Sequence, residues 1–341
     1  MGHNSRTART VAYIASKELA QVSALLPSNR KRSMIIHSLA SSLGLLSNAP
    51  NTSGEIRVVK PTPASYQDLA VYHSRDYLDF VLDPKNSQGL EVAEAAEYGL
   101  EDDCPPFSGL PHYIRYIAGA SLTAVRELRE GRSRIAVCWD GGRHHAQKSK
   151  AAGFCYVADC VLAILSLRIL VPDPDSPAKM KKPRVMYLDL DVHFSDGVCA
   201  AFQSSGNSTF LHLSVHHAAP GFFPVSPLST LPTATSDPFL LSLPLHRGAS
   251  NATFYRVWLN VVEKVREAFQ PDYVVLQCGV DGLAGDPTGA WNWGLGGEGG
   301  MGWCVGKALE WNVPTLLLGG GGYDSANAAR AYAYLTSIAA R

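Results

Sequence analysis

Short apolar runs that end in polar or glycine-rich residues recur along the chain and predict its secondary structure. Five of them stand out: RIAVCWDGG (134–142), RVMYLDLDVH (184–193), TFLHLSVHH (209–217), DYVVLQCGVD (272–281) and PTLLLGGGGY (314–323). Stretches with helical spacing lie between them, at 155–170, 250–269 and 299–311. Near-continuous apolar strands that alternate with helices predict an α/β fold, in which a mostly parallel β-sheet is covered by helices on both faces.

The first 130 residues follow a different pattern, in which helices dominate. Helical spacing occurs at 34–46 and 111–130, and a short strand is predicted at 55–60. Two proline-rich segments, 171–183 and 224–238, predict surface loops within the domain.

The composition is that of a soluble enzyme. Hydrophobic residues make up 46% of the chain, and 30 Lys and Arg balance 30 Asp and Glu, so no strong field favours nucleic acid or an anionic membrane. Seven scattered cysteines without a CxxC pair suit reduced thiols inside the cell, and no apolar run has the length of a membrane span. Neither of the proline-rich segments, 171–183 and 224–238, is flanked by a change in composition. The sequence therefore predicts a single domain over 1–341, with an N-terminal tail at about 1–10.

The motif LDLDVH carries the first candidate chemistry. Alternation along a strand would place Asp189, Asp191 and His193 on one face, where carboxylate and imidazole groups suit zinc. Asp281 ends the run DYVVLQCGVD and could supply a third ligand. Two Asp and one His would leave a position open for substrate, which is typical of a catalytic zinc. The alternatives are a polar strand end for LDLDVH and a helix cap for Asp281.

Two further motifs offer catalytic groups. His144 and His145 follow the turn WDGGR and could act as acid and base near a metal, with Asp189 and Asp196 as orienting partners; a surface loop is the alternative. In GGGGY, Tyr323 could donate to a developing oxyanion. A phosphate-binding turn is the alternative there, but the glycine-rich stretches lack GxxxxGK[ST] and GxGxxG spacing.

The aromatic residues in GFCY (153–156) and PGFFP (220–224) lie close to these motifs. Two facing rings would form a narrow apolar slot for the methylene stem of a lysine side chain. Plain core packing is the alternative.

Several motifs together resemble the ordered signature of class I histone deacetylases: DGGRHHAQKSKAAGFCY, YLDLDVHFSDGV, SVHHAAPGFFP, LQCGVDGLAGDP and LLLGGGGYDSANAAR. The resemblance runs from about residue 10 to the C-terminus and includes RKRSMIIHSL and EYGLEDDCP. The chain is most similar to the short branch that has almost no tail. The resemblance implies the arginase/deacetylase fold and zinc-dependent hydrolysis of N6-acetyl-lysine to acetate and lysine.

Roles for individual residues also follow from the resemblance. His145, paired with Asp196, is expected to be the general base, and His144, paired with Asp189, an electrostatic or acid partner. Tyr323 is expected to stabilise the oxyanion. The residues expected to bind zinc are Asp191, His193 and Asp281. The residues expected to act in catalysis are His144, His145, Asp189, Asp196 and Tyr323. The residues expected to bind the substrate are Asp103, Gly153, Phe154, Phe223 and Thr288.

The resemblance implies further ions, partners and a location. A structural K⁺ is expected near Asp189, Asp191, His193 and Ser214, Arg32 is expected to line an internal channel, and Fe²⁺ is the alternative to Zn²⁺ in the cell. Expected partners are acetylated histone tails or other acetyl-lysine proteins, hydroxamate inhibitors and a corepressor complex, without sequence-specific nucleic acid or a membrane. The expected location is the nucleus, with the cytoplasm as an alternative.

The chain departs from the family pattern next to the expected metal site. Where the family usually has HHGDG, Phe194 and Ser195 precede Asp196. Ser195 argues against an arginase-like two-metal hydrolase, which needs a carboxylate there. Thr288 argues against a polyamine deacetylase, which needs an acidic residue at that position. Phe194 leaves open a non-catalytic scaffold that retains zinc.

Overall fold

One parallel sheet organises the computed structural model, which describes residues 10–47, 55–87, 93–174, 176–203 and 208–341. The strands in these ranges are β1 Thr10–Ile14, β2 Glu55–Val59, β3 Ile135–Cys138, β4 Val171–Asp173, β5 Ser176–Lys181, β6 Val185–Asp189, β7 Phe210–His217, β8 Leu240–Leu245, β9 Tyr273–Gln277 and β10 Thr315–Leu318. Eight of them form a sheet in the order β2-β1-β3-β10-β9-β6-β7-β8, and β4 pairs with β5 in a separate antiparallel hairpin. Every neighbouring pair in the large sheet is parallel, which confirms the predicted α/β class.

Helices cover both faces of this sheet. In the described ranges they are α1 Lys17–Ser23, α2 Arg32–Ser42, α3 Tyr66–Ala70, α4 Arg75–Leu82, α5 Leu110–Arg129, α6 Asp159–Leu167, α7 Asp196–Phe202, α8 Asn251–Val257, α9 Glu263–Phe269, α10 Met301–Glu310 and α11 Ser325–Ala339. A π-helical turn, Trp258–Val262, joins α8 to α9. None of the helices in these ranges is long and apolar enough to cross a bilayer.

Side-chain alternation divides the core into two layers. In β1, Ala12 and Ile14 pack on the side of α5 and α6, whereas Val11 and Tyr13 pack on the side of α10 and α11. Because successive side chains of a strand point to opposite faces, strands that are apolar throughout must be covered on both sides. This explains why the central strands are near-continuous apolar runs.

The strand order brings the chemistry-bearing segments together. The neighbouring strands β3, β10, β9 and β6 are parallel, so their carboxyl ends meet at the same edge of the sheet. The chain continues from these ends into WDGGRHH, GGGGY, CGVD and LDVH. Ligand sites of open α/β sheets lie at this edge.

The strands end earlier than the apolar runs. β6 ends at Asp189 and β9 at Gln277, so Asp191, His193 and Asp281 lie in the turns that follow. The prediction that alternation along a strand places Asp189, Asp191 and His193 on one face is therefore wrong. Turn hydrogen bonds position them instead: the Asp191 amide donates to Asp189 Oδ1 at 3.0 Å, and the His193 amide donates to Asp191 Oδ1 at 3.0 Å.

Three other local predictions differ from the structure. The segment 171–183 contains the β4–β5 hairpin and is not simply a loop. β1 and β8 were not predicted; β8 contains Pro244, which an edge strand tolerates. The loop at 224–238 is confirmed, apart from a 3₁₀ turn at Pro227–Ser229. Residues 1–9 of the expected N-terminal tail lie outside the described residues.

The central sheet should dominate the stability of the fold. Leu188 lies in β6, an interior strand of the sheet, and is fully buried. We expect Leu188→Ala to lower the free energy of unfolding by about 2–5 kcal/mol, because it removes buried methyl groups and leaves a cavity. Chemical denaturation measures this change. The matched variant Leu231→Ala, whose side chain is 60% exposed, should change it by less than about 0.5 kcal/mol; equal losses in both variants would contradict the assigned core.

Candidate active site

Asp191, His193 and Asp281 converge at the sheet edge and could hold a metal ion. Their potential ligand atoms all lie within 4.8 Å of one another. His193 Nδ1 lies 3.1 Å from Asp191 Oδ1 and 3.0 Å from Asp281 Oδ2. Two carboxylates and one imidazole form a donor set that suits zinc and leaves a coordination position open.

The remaining carboxylate oxygens are used to orient this triad. Asp191 Oδ2 accepts hydrogen bonds from Gln277 Nε2 at 3.0 Å and from the Gly321 amide at 2.9 Å. Asp281 Oδ1 accepts from the Val192 amide at 3.1 Å. These hydrogen bonds also fix the two carboxylate oxygens that face His193. Metal ligands are commonly oriented by hydrogen bonds of this kind. The residues present therefore fit a single divalent cation.

Burial and mutual repulsion set the protonation of the two carboxylates. Burial, followed by the charge of Asp191, raises the pKa of Asp281 to about 7. Burial also disfavours ionised Asp191, but His144 and His193 hold its pKa well below the usual value. Hydrogen bonds to both carboxylates outweigh burial and raise the pKa of His193 to about 10. A bound cation would replace these protons.

Two histidine–aspartate pairs lie beside the triad. His144 Nδ1 lies 2.9 Å from Asp189 Oδ2, and His145 Nδ1 lies 2.7 Å from Asp196 Oδ1. The two ring centroids are only 4.0 Å apart. Each histidine thus has a carboxylate on one ring nitrogen, which orients the other nitrogen.

The electrostatic surroundings separate the pKa values of these histidines. Burial lowers the pKa of His145 to about 4, and the neighbouring charge of His144 acts in the same direction. Burial opposes charge on His144 too, but Asp189 and Asp191 raise its pKa to about 9. One ring is therefore neutral and the other charged near pH 7, as an acid–base division requires.

The glycine-rich turn after β10 places Tyr323 at the same edge. The Tyr323 amide donates to Asp286 Oδ2 at 2.8 Å, and the Thr288 amide donates to Asp286 Oδ1 at 2.9 Å. The Tyr323 ring centroid lies 6.4 Å from that of His193. Asp286 thus links the turn that contains Thr288 to Tyr323. The sequence analysis missed this residue, although the GDP turn that follows Asp281 could have indicated it.

Aromatic rings and Gly153 form the walls above the triad. The Phe223 ring is 4.9 Å from that of His145, and the Phe154 ring is 5.9 Å from that of Tyr323. A Cβ at Gly153 would lie only 2.4 Å from the His145 ring and 2.9 Å from Phe223. A narrow cavity of about 20 Å³ lies among His144, His145, Gly153, Phe154, Asp191 and Tyr323.

Two supporting residues were not singled out in the sequence. The Phe222 ring stacks on His193 with a centroid distance of 5.2 Å and an interplanar angle of 8°. Asp159 accepts from the Gly142 and Arg143 amides at 2.9 and 2.7 Å, which fixes the turn before His144. Phe222 lies in the quoted PGFFP motif, but nothing local distinguishes it from Phe223. Conversely, His216 and His217 bond to Ser229 and Leu245 carbonyls rather than joining the triad.

The other predicted residues lie around this centre. Asp103 Oδ2 accepts from the Gly153 amide at 2.8 Å at the rim. Arg32 Nη1 donates to the Gly322 carbonyl at 2.9 Å and lines a cavity of about 10 Å³ behind the site. Ser214 pairs with Asp189 across β6 and β7, and its Oγ lies 2.9 Å from His216 Nδ1. Potassium binding there stays a prediction.

The chain was compared with protein families and curated proteins. A family model described as "Histone deacetylase domain" matches residues 26–339. "Histone deacetylase 8" from Xenopus tropicalis is 38% identical over 328 residues, which cover 96% of this chain and 83% of that protein. "Histone deacetylase 8" from Danio rerio is 37% identical over 333 residues, covering 97% and 82%. "Histone deacetylase 2" from Oryza sativa subsp. japonica is 36% identical over 315 residues, 58% of its length.

Without metal, the site should make stability depend on pH. Folding raises the pKa of His144 from 6.5 to about 9 and that of His193 from 6.5 to about 10, whereas the raised pKa of Asp281, about 7, affects stability mainly below pH 7. A group with a raised folded pKa stabilises the fold while it is protonated, and this contribution is lost as pH rises through that pKa. We expect the Tm of metal-free protein to fall between about pH 6.5 and pH 9.

Thermal melts with and without Zn²⁺ measure this dependence. Zinc should raise the Tm and flatten the fall, because the cation replaces the protons. Metal-free Asp281→Asn is the control, because it removes one of the two carboxylates that raise the pKa of His193, so its Tm should fall less. A Tm of metal-free protein that rises over this range would contradict the assigned protonation.

Proposed function

This chain belongs to the histone deacetylase family, and on that premise we propose that it hydrolyses N6-acetyl-lysine in proteins with one Zn²⁺ bound by Asp191, His193 and Asp281. The observation that carries the proposal is the combination of this triad with two histidine–aspartate pairs and a phenol at one edge of the sheet. Hydrolysis of an amide needs an activated water, a base and an oxyanion donor. All three can be supplied here.

The base is His145. Its Nδ1–H donates to Asp196, which leaves Nε2 unprotonated and available to take a proton from the attacking water. The neutral state that burial imposes on His145 keeps this nitrogen vacant near pH 7. When bound, zinc would polarise the acetyl carbonyl and increase the acidity of the attacking water.

The proton donors are His144 and Tyr323. His144 Nδ1 lies 2.9 Å from Asp189 Oδ2, and this carboxylate favours the protonated imidazole. Its charge would stabilise the anionic transition state, and its proton can go to the departing lysine amine. Burial raises the pKa of Tyr323, so its hydroxyl stays protonated and can donate a hydrogen bond to the oxyanion. The fixed Asp286 bonds hold the Tyr323 backbone in place.

The substrate is proposed to enter between Phe154 and Phe223, with Gly153 giving room beside His145. The narrow, apolar surroundings suit the methylene stem of an acyl-lysine rather than a free charged amine. Asp103, at the rim, is proposed to hold the peptide backbone, and Arg32 to line an internal channel. The names of the relatives support histones as substrates.

Several wider features are part of the same proposal. We place the protein in chromatin regulation and transcriptional repression, with acetylated histone tails as substrates and a corepressor complex as partner, in the nucleus or also the cytoplasm. A K⁺ near Asp189 and Ser214 would be structural. Fe²⁺ is the alternative to zinc, because the same mixed oxygen and nitrogen donors accept either ion.

The competing functions differ in what the site must contain. A two-metal hydrolase needs a further carboxylate, but the Ser195 hydroxyl lies 2.8 Å from His212 Nε2, and the described residues contain one three-residue cluster that could hold a metal. A polyamine deacetylase needs an acid where Thr288 stands. A zinc-retaining scaffold would give no turnover. Parallel assays with arginine, acetylated spermidine and an acetyl-lysine peptide distinguish these cases.

Tyr323 provides the first test of the mechanism. We expect Tyr323→Phe to lower kcat for an acetyl-lysine peptide by about 10²–10³-fold, because one oxyanion donor is lost while the ring remains. Acetate release measures turnover, and metal analysis should show unchanged zinc. The control Tyr255→Phe removes a hydroxyl on α8, outside the candidate site, and should keep parental activity. Parental turnover in Tyr323→Phe would contradict the role of Tyr323 as an oxyanion donor.

The metal provides the second test. Chelation should abolish acetate release, and stoichiometric Zn²⁺ should restore it, because the triad has no other means of polarising the carbonyl. A hydroxamate, which can occupy the open coordination position, should inhibit competitively. Turnover that survives complete metal removal, verified by elemental analysis, would exclude the proposed chemistry. Asp281→Asn should bind zinc more weakly and provides the matched comparison.

A further inference from the structure

A buried histidine, His212, lies behind the two histidine–aspartate pairs. It is fully buried in β7, and its Nε2 lies 2.8 Å from Ser195 Oγ. A buried polar imidazole costs more free energy to remove from water than an apolar side chain of similar size. The placement of His212 is therefore not explained by core stability alone.

The Ser195 hydroxyl serves His212 instead of its own helix. Ser195 is the N-cap residue of α7, where a serine side chain normally accepts from an amide in the first helical turn. It makes no such bond here. The hydroxyl instead ties the beginning of α7 to His212 in the sheet. Ser195 is also one of the two positions at which the chain departs from the HHGDG pattern.

The beginning of α7 carries the partner of the proposed base. Asp196 is the first residue of α7, and its Oδ1 lies 2.7 Å from His145 Nδ1. The next residue, Gly197, packs closely against the backbone of the His144–Ala146 segment. A Cβ at Gly197 would lie only 2.6–2.7 Å from carbonyl groups of that segment. A shift at Ser195 would consequently change the orientation of Asp196 and of His145.

His212 is also linked to the second pair, through Tyr187. It is the direct cross-strand neighbour of Tyr187, and the two rings stack with a centroid distance of 5.8 Å and an interplanar angle of 17°. The Tyr187 hydroxyl donates to Asp189 Oδ2 at 2.6 Å, the same oxygen that pairs with His144. The other departing residue, Phe194, packs edge-on against His212 at 5.9 Å.

We propose that His212 is a positioning residue for catalysis, which fixes Asp196 through Ser195 and supports Asp189 through Tyr187. The inference rests on the proposed deacetylase function. His212 touches neither the substrate nor the triad in this arrangement, so it acts through the orientation of the two histidines. Outer partners of this kind typically affect activity by about 10–100-fold when removed.

Four variants test the proposal: His212→Leu, His212→Gln, Ser195→Ala and the double variant Ser195→Ala/His212→Leu. Leu fills the site without a hydrogen bond, whereas the Gln side-chain amide can reach Ser195 as Nε2 does. We expect kcat to fall about tenfold in His212→Leu and in Ser195→Ala, with KM unchanged within about twofold. His212→Gln should recover most of the loss. The double variant should be no worse than His212→Leu, because both changes break one interaction.

The result that overturns the proposal is a kcat that does not follow this hydrogen bond. Parental kcat in both His212→Leu and Ser195→Ala, whatever their Tm, would leave His212 with a purely structural role. Equal losses in the Leu and Gln variants, or additive losses in the double variant, would contradict the Ser195 link. Ser195→Ala keeps the test valid if a His212 variant does not fold.

A spectroscopic measurement separates this inference from the proposed function. Imidazole Nδ1–H protons held by carboxylates give resolved downfield NMR signals. The signal of His145 should weaken or shift in His212→Leu and Ser195→Ala and return in His212→Gln. If the parent protein lacks acetyl-lysine turnover, the proposed function fails, but this pattern still decides whether His212 positions the pair.

Discussion

Two carboxylates buried side by side, those of Asp191 and Asp281, are the constraint on which the site depends. Neighbouring negative charges in a low-dielectric interior cannot both persist without a compensating positive charge. In the protein alone, a proton on Asp281 and the charge of His193 meet this need. A divalent cation would meet it better, since it satisfies both carboxylates at once. Metal binding, stability and the ionisation of nearby histidines are therefore coupled.

The backbone around the carboxylates is adapted to this close approach. A Cβ at Gly279 would lie 1.9 Å from Asp191 Oδ2, and one at Gly321 would lie 1.9 Å from Asp281 Oδ2. Only glycine leaves space for the carboxylates at these two positions. The GGGGY turn is thus needed for packing against the triad as well as for the placement of Tyr323. Its glycines are better explained by this contact than by phosphate binding.

Orientation by hydrogen bonds extends outward from the triad in layers. The histidines that flank the metal site depend on Asp189 and Asp196, and these depend on Tyr187 and on the start of α7. Such nested support is the usual means by which a fold holds reactive groups within a few tenths of an ångström. The chain departs from the family pattern at Phe194 and Ser195, within this support, and not at Asp191, His193 or Asp281.

Local patterns in the sequence were enough to predict the parallel α/β class and most of the central strands, because burial on both faces of the sheet restricts these strands to apolar residues. They also predicted the residue types of the site, because metal binding and acid–base chemistry need particular side chains. They did not predict β1, the leucine-rich β8, which contains Pro244, or the hairpin at 171–183, whose sequence is rich in proline and lysine. Only the tertiary structure decided the strand order that makes β3, β10, β9 and β6 neighbours. Contacts such as Phe222 on His193 also depend on that order, since they join segments that no local pattern connects.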